Sequence, residues 1–269
     1  MAPSAGRAAE QILLGVADSL CGAIPRRRPD RVLLESARIV AHRGAHEEPG
    51  VTENTLEAFD RAVKASAWGI EFDIRWTRDL RPVVFHDPDT RRLFGTDVKL
   101  SDLDLSELKD RFHIIPTLEE VVRRYGGAVH LMAEVKGGDR PEPSRLNDAL
   151  GETFSGLKPA EEYHLLSLDP GIFNCLTFAP PRCFLPVAEW NVKSMSDFAL
   201  AKGCAGLAGH YFLLTDRVLR QHKRAGQKIA TGYVATRSCL YREIRRGVDW
   251  IFTNRAVGLR AYLLNETGS

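Results

Sequence analysis

From residue 36 to the end of this 269-residue chain, short apolar runs rich in β-branched and aromatic residues alternate with stretches of helical periodicity, and this constrains the fold more than any other feature. The runs cover residues 38–41, 69–74, 82–85, 130–135, 163–168, 182–187, 205–208, 228–234 and 249–253. Strand-length runs separated by helices point to βα units in a mainly parallel sheet. Helix boundaries agree. Asn54 with Glu57, and Thr117 with Glu120, each place a capping side chain three residues before an acidic partner. Beyond these caps, Leu56, Phe59 and Val63 share one helix face, as do Leu118, Val121, Val122 and Tyr125. Arg245-Arg246-Gly247 reads as a basic last turn and a glycine stop before the final run. About eight such units over roughly 230 residues match the size of a (β/α)8 barrel. A doubly wound open sheet is the competing fold, but no glycine-rich phosphate loop follows the first run. The expected organisation is an α/β chain with a single barrel domain over 36–269 and a helical extension over 1–35.

Composition narrows the function classes. Lys plus Arg 37 against Asp plus Glu 35 leaves a net charge of +2, too weak a field to argue for a nucleic-acid partner. The longest uncharged stretch, Gly203 to Thr215, is thirteen residues, short of the roughly 20 that a spanning helix needs. No transmembrane segment is expected. Gln11 to Ile24 is mildly apolar but carries Asp18, and the basic cluster Arg26-Arg27-Arg28 follows it where a signal peptide would have it first. Five cysteines without CxxC or Cys/His spacing read as reduced thiols packed as small hydrophobes, which fits a cytoplasmic chain. Arg26 to Arg28 read first as a solvated basic turn, with a weak membrane-surface contact through this arm as the alternative.

Polar groups at the ends of otherwise apolar strands carry the chemistry, because a core-facing charge is costly unless it is paired or binds a metal. Glu71 and Asp73, two apart in Trp68-Gly-Ile-Glu-Phe-Asp-Ile74, point to one strand face while Ile70, Phe72 and Ile74 point to the other. Two such carboxylates repel unless a cation or proton lies between them. Glu134 and Lys136 share a face of a second strand and add a third carboxylate and a cation. Three oxygen ligands suit Mg2+ or Ca2+ better than zinc, and outward-facing charges paired with helices are the alternative. His42 and His86 each close a strand and form a plausible acid/base pair, while Arg43 offers a planar fork for a phosphate or carboxylate.

The ordered set His42-Arg43-Gly44, Glu53-Asn54-Thr55, Ala58-Phe59, Glu71-x-Asp73, Thr77-x-Asp79, Pro82-Val-Val, His86-Asp87, Pro116-Thr117-Leu118-x-Glu120 and Glu134-x-Lys136 resembles the glycerophosphodiester phosphodiesterase family. The match is dense from about residue 38 to 138 and thinner beyond. The resemblance implies a TIM barrel that hydrolyses a phosphodiester with a divalent metal. It places the metal ligands on Glu71, Asp73 and Glu134, the acid/base histidines on His42 and His86, and the phosphate-facing cations on Arg43 and Lys136. The downstream half departs from the family pattern. Ser167-Leu168-Asp169 carries Leu where an aromatic is usual, Thr231-Gly232-Tyr233-Val234-Ala235 replaces a Trp-Thr-Val run, and Thr253-Asn254 stands where Thr-Asp is usual. Trp190 and Tyr233 are the candidate substrate contacts, with a core or lid role the alternative for Trp190. The segment between His86 and Pro116 is a short insertion that offers limited cover for a bulky lipid.

The expected activity is metal-dependent hydrolysis of a small glycerophosphodiester to glycerol phosphate and an alcohol. Two alternatives accompany it. One is lysophospholipase D-like cleavage of a lipid phosphodiester, which an exposed apolar rim around the barrel mouth would favour. The other is a non-catalytic barrel that binds a phosphorylated ligand.

Overall fold

The nine apolar runs form nine strands in a computed structural model that describes residue 18 and residues 21–138 and 140–268. They are β1 Ile39–His42, β2 Gly69–Trp76, β3 Pro82–Val84, β4 His130–Val135, β5 Tyr163–Ser167, β6 Phe184–Ala188, β7 Gly206–His210, β8 Lys228–Gly232 and β9 Trp250–Thr253. Eight are parallel. β1 pairs with both β2 and β9, which closes the ring β1-β2-β4-β5-β6-β7-β8-β9 and excludes the open doubly wound sheet. β3 lies outside the ring, antiparallel to β2. Only residues 77–81 join the two, with Leu80 at φ 60°, which is room for a hairpin turn but not for a crossover helix.

From residue 31 onward the described residues form these helices in chain order: α1 Arg31–Glu35, α2 Leu56–Lys64, α3 Arg91–Phe94, α4 Leu105–Arg111, α5 Leu118–Tyr125, α6 Pro143–Phe154, α7 Val192–Lys202, α8 Asp216–Arg224, α9 Arg237–Arg246 and α10 Ala256–Thr267. Thr117 and Glu120 form the expected capping box on α5, and Gly247 ends α9 at φ 70°. The start of α2 differs from expectation. Its cap is Thr55, whose hydroxyl accepts from the Ala58 amide, while Asn54 sits at φ 57° and turns its side chain into the barrel mouth. α2 buries Ala58, Phe59 and Ala62, and Val63 of the expected face is exposed.

Strand alternation divides the core into two layers. Ile39, Ala41, Ile70, Phe72, Leu131, Ala133 and Leu165 pack with the helices, whereas Val40, Met132, Leu166, Leu185, Ala208, Ala230, Trp250 and Phe252 fill the barrel interior. The insertion after β3 makes a smaller core from Phe85, Leu100, Leu108, Phe112 and Ile115. Leu34 and Cys21 join the main core, so the described part of the extension packs directly on the barrel. Arg26 to Arg28 are exposed, and Arg28 pairs with Glu266 in the last turn of α10. Residues 1–17, 19 and 20 of the expected helical arm lie outside the described residues. All five cysteines are free, three of them buried. No helix among the described residues is long and apolar enough to cross a membrane.

Candidate active site

Strand parity places the polar groups. Glu71 stands opposite Met132 and Asp73 opposite Glu134 in the β2–β4 register, so all three carboxylates lie on the interior face near the carboxyl ends of their strands. Their ligand atoms fall within 4.8 Å of one another, and Glu71 is only 1% exposed. Lys136 Nζ lies 2.6 Å from both Asp73 Oδ1 and Glu134 Oε1. Burial and the neighbouring Asp73 and Glu134 charges push the Glu71 carboxyl well above its ordinary range. Burial acts the same way on Asp73, but Lys136 and Arg43 overcome it and hold that carboxyl down. Glu71 Oε1 is buried with no hydrogen-bond donor. An orphaned oxygen facing two further carboxylates is a donor set that fits a hard divalent cation, and these three residues form an acidic triad able to hold a metal ion.

The two histidines flank this triad with different partners. His42, at the end of β1, has Nδ1 2.6 Å from Asn254 Oδ1 and Nε2 3.8 Å from Glu71 Oε2. Because an amide oxygen only accepts, the Nδ1 hydrogen donates to Asn254 and the lone pair of the neutral ring sits on Nε2. Burial, reinforced by Arg43, pushes this imidazole down to about 4. His86 lies just past β3, with Nδ1 2.7 Å from Asp87 Oδ1. Burial lowers it too, while Asp73 and the hydrogen bond to Asp87 pull it upward. Its backbone is clamped by Arg75, whose Nε and Nη2 donate to the His86 carbonyl at 2.9 and 2.8 Å.

Arg43 connects the parts. It adopts φ 56°, its amide donates to Glu71 Oε2 at 2.9 Å, and its guanidinium reaches Glu53 at 2.9 Å and Asp73 at 3.3 Å. Gly44 follows at φ 80°, where a Cβ would lie 2.8 Å from the Ala58 backbone, so no other residue fits this turn against α2. From Glu53 the network continues outward. Arg92 donates to both Glu53 oxygens, at 2.6 and 3.2 Å, and its Nε donates to Asp87 Oδ2 at 2.6 Å. Burial disfavours the Glu53 charge, yet Arg92 and Arg43 hold its carboxyl down at about 2. Asn54 completes the inner ring by donating to Asp73 Oδ2 at 2.7 Å.

The far half of the mouth carries exposed apolar side chains beside charged ones such as Asp169 and Glu189. Leu168 after β5, Trp190 after β6, Phe212 after β7 and Tyr233 after β8 are 38%, 45%, 52% and 52% exposed. Tyr233 lies 5.8 Å from the His42 ring. Trp190 shares this end of the barrel but has no ring partner among the described residues. The geometry thus brings His42, His86, Arg43, Lys136, Glu71, Asp73, Glu134 and Tyr233 to one mouth, with Trp190 at its edge. Asn54, Glu53, Asp87, Arg92, Arg75 and Asn254 are site residues that the sequence reading left without a role there. Glu53, Asn54 and Asp87 belong to the motifs that carry the resemblance, whereas Arg92 carries no local signal.

Comparison with known proteins adds the following. Residues 42–257 match the glycerophosphoryl diester phosphodiesterase family. A glycerophosphodiester phosphodiesterase of Caldanaerobacter subterraneus is 27% identical over 229 residues, covering 80% of this chain and 93% of that protein. The Bacillus subtilis protein YhdW is 35% identical over 125 residues, so the match spans 42% of this chain and half of that relative. The glycerophosphodiester phosphodiesterase of Thermotoga maritima superposes with a TM-score of 0.71 at 26% identity, covering 84% of this chain and 98% of the solved one.

Proposed function

The chain belongs to the glycerophosphoryl diester phosphodiesterase family, a family of phosphoric diester hydrolases, and from that premise we propose that it hydrolyses small glycerophosphodiesters to glycerol phosphate and an alcohol with His42 as general base and His86 as general acid. Glu71, Asp73 and Glu134 would hold Mg2+ or Ca2+, the cations suited to an all-oxygen set. When bound there, the cation neutralises charge that builds on the phosphoryl oxygens. Arg43 and Lys136 add fixed positive charge beside the same oxygens. His42 takes a proton on Nε2 from the attacking water as its oxygen bonds to phosphorus, and His86 gives a proton to the alkoxide as the ester phosphorus–oxygen bond breaks. His42 then loses its proton to solvent and His86 regains one, which returns both rings to their starting states.

The observation that carries the assignment is the difference between the partners at Nδ1. Asn254 accepts from His42 without bringing a negative charge, so burial and Arg43 keep this imidazole neutral, as a base requires. On His86, Asp73 and the hydrogen bond to Asp87 work against the lowering by burial and favour the imidazolium that an acid requires. Leaving-group dependence tests this. On a choline or ethanolamine diester, His42→Ala and His86→Ala should each lose about 10²- to 10⁴-fold in turnover. With a nitrophenyl leaving group, which departs without protonation, His86→Ala should recover most of its rate and His42→Ala should not. The opposite pattern exchanges the roles, and unchanged rates remove both residues from the mechanism.

The half-rim of Leu168, Trp190, Phe212 and Tyr233 favours a second reading, lysophospholipase D-like cleavage of a substrate whose acyl chain lies across that edge. The basic cluster does not add to it. Arg28 is tied to Glu266 at the end of α10, and α10 begins at the mouth and runs away from it. A higher kcat/KM on lysophospholipids than on head-group diesters would establish the lipid reading.

A further inference from the structure

The described end of the N-terminal arm lies against the catalytic mouth. Asp18 Oδ1 accepts the Tyr211 hydroxyl at 2.5 Å and lies 3.5 Å from His210 Nε2. Tyr211 and His210 are consecutive residues at the carboxyl end of β7, both buried. The Phe212 amide donates to His210 Nδ1 at 3.2 Å, which leaves the hydrogen of the neutral ring on Nε2, facing Asp18. The His210 ring stacks on Tyr233 at 5.4 Å and 24°, and Tyr233 is the aromatic beside His42. A second contact supports the first. Gly22 approaches the α9 cap so closely that a Cβ there would lie 3.0 Å from the Thr236 methyl, on the loop that carries Tyr233. Cys21 packs in the core that contains Tyr211, Cys239 and Leu240.

Tyr233 is a non-glycine residue at φ 66°, a conformation that costs about 1 kcal/mol or more and persists only where its surroundings impose it. The side chain is half exposed, so core packing does not fix it. Its ring packs against those of His42 and His210. His210 is in turn held between the Phe212 amide and Asp18. A chain of contacts therefore runs from the arm, through the end of β7, to the aromatic edge of the site.

We propose that Asp18 is a positioning residue for substrate binding, which holds the His210–Tyr233 stack in place behind the active site. The inference rests on the reading above of Tyr233 as a substrate contact. It assigns no chemical step to Asp18, so its effect falls on KM.

The test uses full-length Asp18→Ala, Asp18→Asn, Tyr211→Phe and Tyr233→Ala, with kcat and KM measured on one glycerophosphodiester. Asp18→Ala and Tyr211→Phe should each raise KM by about three- to tenfold with kcat within about twofold. The Asp18→Ala, Tyr211→Phe double variant should be no worse than Asp18→Ala alone, because Tyr211→Phe removes only a contact that Asp18→Ala already removes. Asp18→Asn keeps an oxygen acceptor for the Tyr211 hydroxyl and should restore KM to near the wild-type value. A purely structural role would lower the melting temperature and leave KM alone, and that result overturns the proposal. KM raised by Tyr233→Ala but not by Asp18→Ala overturns it while the reading of Tyr233 stands. KM unmoved by Tyr233→Ala overturns both.

Discussion

Replacing Asn254 by Asp tests the assignment of His42 as base through a single atom pair. The wild-type amide oxygen lies 2.6 Å from His42 Nδ1 and carries no net charge. Asn254→Asp keeps the geometry and adds a full negative charge about 5 Å from the centre of the ring, worth about 3 kcal/mol at an effective dielectric of 20, or roughly 2 pH units. Asn254 is exposed, so solvent screening reduces this. An upward shift of about 1 to 2 units is expected, starting from about 4. The direction is fixed by linkage. A carboxylate stabilises the imidazolium, so His42 stays protonated, and inactive as a base, to higher pH. The assay is kcat/KM for glycerol phosphate release from pH 4 to 9 at saturating Mg2+. The acid limb of the variant should move up by about 1 to 2 units, while rates near pH 8 remain within about twofold of wild type. An acid limb that stays in place would refute the claim that His42 must lose a proton for the reaction.

Three further outcomes are expected. Glu71→Gln removes one member of the acidic triad and should weaken Mg2+ binding by about tenfold or more in a calorimetric titration, whereas an unaltered isotherm would place Glu71 outside the metal site. Arg92→Ala breaks the bridge between Glu53 and Asp87 and should lower kcat/KM by about tenfold with unchanged circular dichroism, and Arg92→Lys should recover only part of this because it lacks the fork; full activity in Arg92→Ala would show the bridge to be idle. Deeper in the barrel, His130 Nε2 and His164 Nδ1 lie 2.7 Å apart, and burial pushes the two rings down to about 4 and about 3. Both are neutral in either state above the unfolded value of about 6.5, so stability should fall as pH drops from there through about 4 and on to about 3, by several kcal/mol in all. His164→Gln should shrink the drop in urea midpoint between pH 7 and 4.5, and an equal drop in the variant would remove the pair as its cause.

The parts legible in the sequence are those set by local periodicity. Glu71, Asp73, Glu134 and Lys136 could be placed on common faces because strand parity is fixed at two residues, and the register brings those faces together. The closed barrel followed from counting βα units. The outward turn of β3 is a matter of linker length, because the five residues of 77–81 cannot hold a crossover helix. Asn54 was harder to read. A polar residue three before Glu57 satisfies the capping pattern, but Thr55 performs that role one residue later and frees Asn54 for Asp73. Asn254 showed only as a departure from the family pattern, and its contact with His42 spans 212 residues. Arg92 and Asp18 act across 39 and 193 residues through side chains alone, so no local pattern marks them.

The central claim is that Glu71, Asp73 and Glu134 hold a divalent cation needed for phosphodiester hydrolysis. The direct measurement is glycerol phosphate release from glycerophosphodiesters and lysophospholipids by protein stripped with EDTA and then supplied with Mg2+ or Ca2+. Activity that is lost on stripping and restored by one of these ions is the predicted result. Full activity in EDTA, or none with either ion on any substrate, would contradict it.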